Sequence, residues 1–94
     1  MVYHVIRYIA DKPLGYDGGK VRATGTIQYT REDKTQAEQI LTRLYEISAN
    51  QKNMSILKRT RYTFRCENGL HKYLFKISRG EGKTRKELLQ DIYI

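Results

Sequence analysis

The chain has no tryptophan, two phenylalanines, one proline and one cysteine. Each shortage excludes something. A lone Cys66 forms no intrachain disulfide, so the chain is not a small secreted scaffold held together by bridges. No stretch approaches the roughly 18 apolar residues that span a bilayer. The opening MVYHVIRYIADK lacks a basic start followed by an apolar segment. A cytoplasmic protein without membrane contact is expected. His4, His71 and Cys66 are too few for a zinc site, which usually takes four ligands, so no metal or other cofactor is expected. No acid, base or nucleophile comes with an orienting partner, and the expectation is that the chain is not an enzyme.

What is present is tyrosine and positive charge. The 94 residues include eight Tyr and carry a formal net charge of +8. That length suits one compact domain, residues 1–94, whose single core buries roughly 60 to 65% of the unfolded surface. Residues 1–51 hold seven Lys/Arg against six Asp/Glu, whereas residues 52–94 hold eleven against four. The basic character therefore belongs to the second half and points to an anionic partner.

Tyr3 to Ala10 is rich in β-branched and aromatic residues and reads as a strand with apolar groups on both faces. DKPLGYDGGK, Asp11 to Lys20, is a long loop. Val21 to Tyr29 alternates as a half-buried strand. From about residue 31 to 49 the period changes: Ala37, Ile40, Leu41, Leu44, Ile47 and Ser48 share one helical face, with Thr30 and Asp33, or Thr35 and Glu38, placed to cap the start. Met54 to Cys66 reads as one long strand. Asn68-Gly69 matches a type I′ hairpin turn, and Leu70 to Ser78 returns antiparallel. Thr84 to Tyr93 reads as a short closing helix. The predicted fold is α+β in the order ββαββα, a four-stranded antiparallel sheet with both helices on one face and the other face open.

With Asn68 and Gly69 in the turn, Phe64 falls opposite Tyr73, Tyr62 opposite Phe75 and Thr60 opposite Ile77, which makes one face core. The other face sets Arg65 against Lys72 and Arg61 against Lys76, with Arg59 beside Ser78, and Cys66 meets His71 across the turn. Like charges directly opposed cost a few tenths of a kcal/mol per pair, a cost that a bound anion removes. Arg22 extends this patch, and Lys58 and Arg79 flank it. Thr24, Thr26, Gln28 and the arginines suit contacts with base edges, and Tyr16 suits stacking on an unpaired base.

SRGEGKT, Ser78 to Thr84, sits where a phosphate-binding loop would come after a strand. The pattern G-x-x-x-x-G-K-[ST] puts its first glycine at Ile77, so the nucleotide cradle is not formed. Gly80 and Gly82 end the strand instead, and Thr84 with Glu87 caps the last helix. Lys83 and Arg85 at that helix start are placed to help hold one phosphate of a polymer.

In element order and open basic sheet the chain resembles the part of LAGLIDADG endonucleases that lies beyond their signature helix. That helix and its acidic metal ligand are not in this sequence, and the likeness carries no function across. The functional expectation is a small noncatalytic module that binds nucleic acid, DNA or RNA, through Arg59, Arg61, Arg65, Lys72, Lys76, Arg22, Arg79, Lys83 and Arg85. The alternative is a protein-binding inhibitor or adaptor that meets an acidic protein or nucleoprotein surface, such as an anti-CRISPR-like mobile-element protein blocking a host nucleic-acid enzyme. Tyr3, Val5 and Ile9, facing outward beside Arg7, would give it an apolar stripe for that partner or for a homodimer.

Overall fold

The first strand, with apolar residues on both faces, lies inside the sheet. The computed structural model describes residues 1–94, and in it β1 (Tyr3–Asp11) is flanked on both sides. β2 (Arg22–Arg31) pairs with one side of β1 and β5 (His71–Arg79) with the other. Beyond β5 lie β4 (Thr63–Glu67) and then β3 (Ser55–Arg59), and β6 (Ile92–Tyr93) adds to the start of β2. The result is one curled six-stranded antiparallel sheet in the order β3-β4-β5-β1-β2-β6. This corrects the expected four-stranded sheet and ββαββα order: the observed order is ββαβββαβ, with α1 at Lys34–Ala49 and α2 at Arg85–Leu88.

The two helices lie on opposite faces of the sheet, not together on one as expected. α1 leads from β2 across to the far edge strand β3. It buries Val5, Phe64, Cys66 and Phe75 of the sheet under its own Ala37 and Leu41. α2 leads from β5 back over β1 to β6, and with β6 it covers Ile6, Tyr8, Ala10, Ala23 and Leu74 on the other face. We call these the α1 face and the α2 face. Val5 and Ile6, adjacent on β1, are both fully buried, one on each side. Val5 therefore cannot belong to an exposed apolar stripe, and Tyr3 packs against the same cluster under α1.

Local chemistry explains the element ends. α1 begins three residues later than expected, at Lys34, because the Asp33 side chain accepts from the Thr35 backbone N–H at 2.9 Å and serves as the cap. Thr84 caps α2 as its spacing with Glu87 predicts, accepting from the Glu87 N–H at 3.2 Å. α2 is only one turn long, however, and the chain re-extends into β6, where Val21 and Ile94 exchange backbone hydrogen bonds at 3.1 and 2.9 Å.

The run Met54 to Cys66 is two strands, not one. Thr60 and Thr63 close a tight turn around Arg61 and Tyr62: the Thr60 N–H donates to the Thr63 carbonyl at 2.8 Å, and the Thr60 hydroxyl accepts from the Thr63 N–H at 3.1 Å. The β4–β5 turn differs from expectation as well. Its tip is Gly69-Leu70, and the Asn68 side chain accepts from the N–H groups of Leu70 and His71 at 2.9 and 2.7 Å. Asn68 thus builds an Asx turn, Gly69 keeps a negative φ, and no type I′ turn forms. The register moves so that Phe64 opposes Phe75 and Cys66 opposes Tyr73.

The core is built from aromatic contacts and one close glycine. Phe64 stacks on Phe75 with centroids 4.6 Å apart, and Tyr45 of α1 meets Phe64 edge-on at 5.7 Å. On the α2 face the Tyr8 ring lies over Gly25, and its hydroxyl donates to the Leu88 carbonyl at 2.9 Å, fastening α2 to the sheet. A Cβ at position 25 would stand 2.7 Å from Tyr8 Cε1. No helix is long and apolar enough to cross a membrane.

Two outcomes are expected. Gly25→Val should lower the unfolding free energy by about 1 to 3 kcal/mol in urea titration, despite valine's better strand propensity, because the added branch displaces the Tyr8 ring. An unchanged midpoint would contradict this packing. The second concerns pH. Burial pushes the Cys66 thiol from its ordinary 9.0 up to about 11, against a smaller opposing effect of a Ser48 hydrogen bond. The unfolded chain then ionises before the folded one, so stability is full below pH 9.0 and falls as the pH rises toward about 11. Burial raises the Tyr8 phenol too, which continues the loss at higher pH. Cys66→Val should flatten the fall over that window in urea titrations, and an unaltered slope would refute the assignment.

Candidate nucleic-acid interface

The Thr60–Thr63 turn redistributes the basic residues of the second half. β3 carries a bulge at Leu57, so Lys58 falls opposite Arg65 while Arg59 falls opposite Phe64. Arg59 is therefore on the α1 face, with its guanidinium 4.0 Å from the centre of the Tyr45 ring. Arg61 stands in the turn, and its Nε donates to Glu38 Oε1 of α1 at 3.0 Å. The expected face of five cations does not exist: two of its members serve to tie the β3–β4 hairpin to α1.

The other expected site residues also separate. Lys72 lies opposite Glu67, and its Nζ donates to the Ile94 carbonyl at 2.7 Å and the Gly19 carbonyl at 3.3 Å, holding the β1–β2 loop near β6. Arg22 is bound to Asp91 at 2.6 Å. Arg79 is on the α1 face, 4.0 Å from Glu81, beside Tyr3, Lys34 and Tyr62. Arg85 lines an outer surface of α2 with Lys86 and Leu89. Thr24 and Thr26 are exposed opposite Ile9 and Arg7, away from the basic hairpin. The Tyr16 hydroxyl donates to the Gly19 carbonyl at 2.8 Å, and Lys12 and Lys72 both approach its ring, so the tyrosine braces its own loop. Cys66 is buried under α1, while His71 Nδ1 lies 2.8 Å from Asp11 Oδ1 without forming a hydrogen bond.

What remains on the α2 face is a smaller group. α2 and β6 cover β1 and β2 there and leave β3, β4 and the near side of β5 open. This open part presents Ser55 and Lys58 from β3, Thr63 and Arg65 from β4, and Lys76 from β5. Lys58 stands directly across from Arg65, and Lys76 directly across from Thr63. No carboxylate oxygen lies within 4.0 Å of Lys58, Arg65 or Lys76. Glu67, the nearest acid along β4, is held by Lys12 at 3.1 Å. Lys76 Nζ approaches the buried Tyr8 ring at 5.4 Å, and between β5 and α2 a hollow of about 420 Å³ is lined by Lys76, Ser78, Lys83 and Gln90. Lys83 thus extends the group toward α2, and Glu87 on the hollow's rim is engaged by the Thr84 hydroxyl at 3.3 Å.

Of the residues expected from the sequence, Arg65, Lys76 and Lys83 stay in this group, and Lys58 moves from flank to centre. The bulge that moves it has no glycine or proline to announce it. The Lys58/Arg65 opposition keeps two like charges together on a half-open sheet at a cost of a few tenths of a kcal/mol. Lys58→Glu should therefore raise the unfolding free energy by roughly 0.3 to 1 kcal/mol at low salt, with the gain shrinking as salt is added. A loss of stability in urea titration would show that these side chains do not face each other. Comparison with protein-family models, with curated proteins and with solved structures returns no match, so the interpretation of this face rests on its own geometry.

Proposed function

We propose that the protein is a noncatalytic nucleic-acid-binding module whose contact surface is the open part of the α2 face, centred on Lys58, Arg65 and Lys76 and extended by Lys83. The observation that supports it is the absence of any internal counterion for these neighbouring cations, on a surface that no helix covers. A phosphate backbone supplies a row of anions, and releasing its counterions more than offsets the repulsion between Lys58 and Arg65. Ser55 and Ser78 add hydroxyls that donate to phosphate or sugar oxygens. Arg65 is half-buried and has no carboxylate within 4.0 Å, and its guanidinium fork suits a phosphate or a guanine edge.

Binding of labelled duplex DNA, single-stranded DNA and RNA at two salt concentrations tests the proposal. A slope of log affinity against log salt of about −2 to −4 is expected, as for a surface that neutralises a few phosphates. Arg65→Glu and Lys76→Glu should each weaken binding about tenfold or more, while Arg61→Glu, which changes a residue already paired on the other face, should shift it by less than about threefold. Undetectable binding at low salt, or an Arg61→Glu effect as large as that of Arg65→Glu, would refute the proposal.

A further inference from the structure

The sheet has two outer edges, and they are built differently. β3 is five residues long, carries Lys58 and Arg59 and is bent by its bulge, all features that discourage addition of another strand. At the opposite edge β6 pairs only with Arg22 and Ala23 of β2. From Thr24 to Tyr29 the outer side of β2 has no strand beside it, and this stretch contains no proline and no charge. Its one irregularity is Gln28, the extra residue where the register with β1 shifts.

Next to this edge, on the corner of the α1 face that α1 leaves uncovered, is Arg7. It projects from β1 directly across from the exposed Thr26 and is itself half-buried. Its Nε is sealed from solvent and meets no hydrogen-bond acceptor, and no carboxylate lies within 4.0 Å of its guanidinium. An unsatisfied donor on a charged, half-buried group lowers stability, and nothing in the fold uses it. Arg22 at one end of β2 is neutralised by Asp91, whereas Arg31 at the other end has no carboxylate within 4.0 Å and adds positive charge to the surroundings.

We propose that the β2 edge and Arg7 together form a docking site for an extended acidic segment of a protein partner. The segment adds as a further strand beside Thr24–Tyr29, continuing the backbone ladder, and an aspartate or glutamate on its α1-face side reaches over Thr24 and Thr26 to the terminal nitrogens of the Arg7 guanidinium, which, unlike Nε, are not sealed off. Strands lie about 4.8 Å apart, so the added strand and β1 are roughly 10 Å apart, a gap that arginine and glutamate side chains span together. A second copy of this chain does not meet the requirement, because pairing through the same strand brings Thr24 to Tyr29, which contain no carboxylate, to Arg7. Nucleic acid has no peptide groups with which to extend the ladder. The site is on the face opposite to Lys58 and Arg65 and does not depend on what binds there.

The test uses the full chain and a capped peptide of alternating valine and glutamate, with the lysine-for-glutamate peptide and a thymidine oligonucleotide as comparisons. The glutamate peptide should bind and slow hydrogen exchange of the outward amides between Thr24 and Tyr29, and the lysine peptide should not. Arg7→Gln should weaken binding by about tenfold or more while raising the melting temperature, since it removes an uncompensated charge. Thr26→Glu should give Arg7 an internal partner and cause a similar loss, whereas Arg65→Glu should leave peptide affinity within about twofold. The proposal is overturned by absence of protection at about millimolar peptide, by equal affinity after Arg7→Gln, or by protection of the same amides by a second copy or by the oligonucleotide instead.

Discussion

The structure depends on the position of β1. Flanked by β2 and β5, it has no solvent-facing edge, and its consecutive residues Val5 and Ile6 are fully buried on opposite faces. One strand with two apolar faces needs two covers. α1 supplies the first through Ala37 and Leu41, and α2 with β6 supplies the second through Leu88 and Ile94. Tyr8 links strand and cover directly: its ring fills the space left by Gly25, and its hydroxyl holds the Leu88 carbonyl. Because neither helix is large enough to cover a whole face, each leaves an open part. These two parts lie on opposite sides of the sheet, one with Lys58, Arg65 and Lys76 and the other with Arg7.

The fold also sorts the positive charge. Net charge says only that an anion is favoured somewhere, and the geometry decides which cations are free to meet it. Arg22, Arg61 and Arg79 have carboxylate neighbours, Arg59 lies on Tyr45, and Lys72 spans the Gly19 and Ile94 carbonyls. Exposed pairs of this kind contribute little to stability individually, yet they position the β3–β4 turn, the β1–β2 loop and the segment before β6. The cations without such partners on the open part of the α2 face are the ones for which an external anion changes the energetics most.

Much of this is legible in the sequence where local rules act alone. The helical period from Ala37 to Ser48, the Thr84/Glu87 cap, the strand alternation from Val21 to Ile27, which the extra residue Gln28 ends before Tyr29, and the missing first glycine at Ile77 all depend on neighbours within a few residues. Pattern and structure part where side chains replace the usual turn signals. Thr60 and Thr63 close a turn through their hydroxyls without glycine, proline or asparagine between them, so the pattern suggests one long strand where there are two. Asn68 uses its side chain rather than a positive φ, and this moves the β4–β5 register while leaving each residue on its expected face. Arg59 and Arg61 change faces because the Leu57 bulge and the Thr60–Thr63 turn break the alternation that would group them with Arg65. The two-sided burial of β1 is visible as apolar residues on both faces, but its central place in the sheet comes from long-range pairing that no local pattern encodes.

The central claim is that the cations without internal partners on the α2 face, and not the basic residues in general, form the contact surface. An amide NMR titration with an oligonucleotide at low salt tests it most directly. Shifts should concentrate at Ser55, Lys58, Thr63, Arg65, Lys76 and Lys83, with Arg59, Arg61 and Arg22 nearly unmoved. Shifts centred on Arg59, Arg61 and the α1 face, or spread evenly over every lysine and arginine, would contradict it.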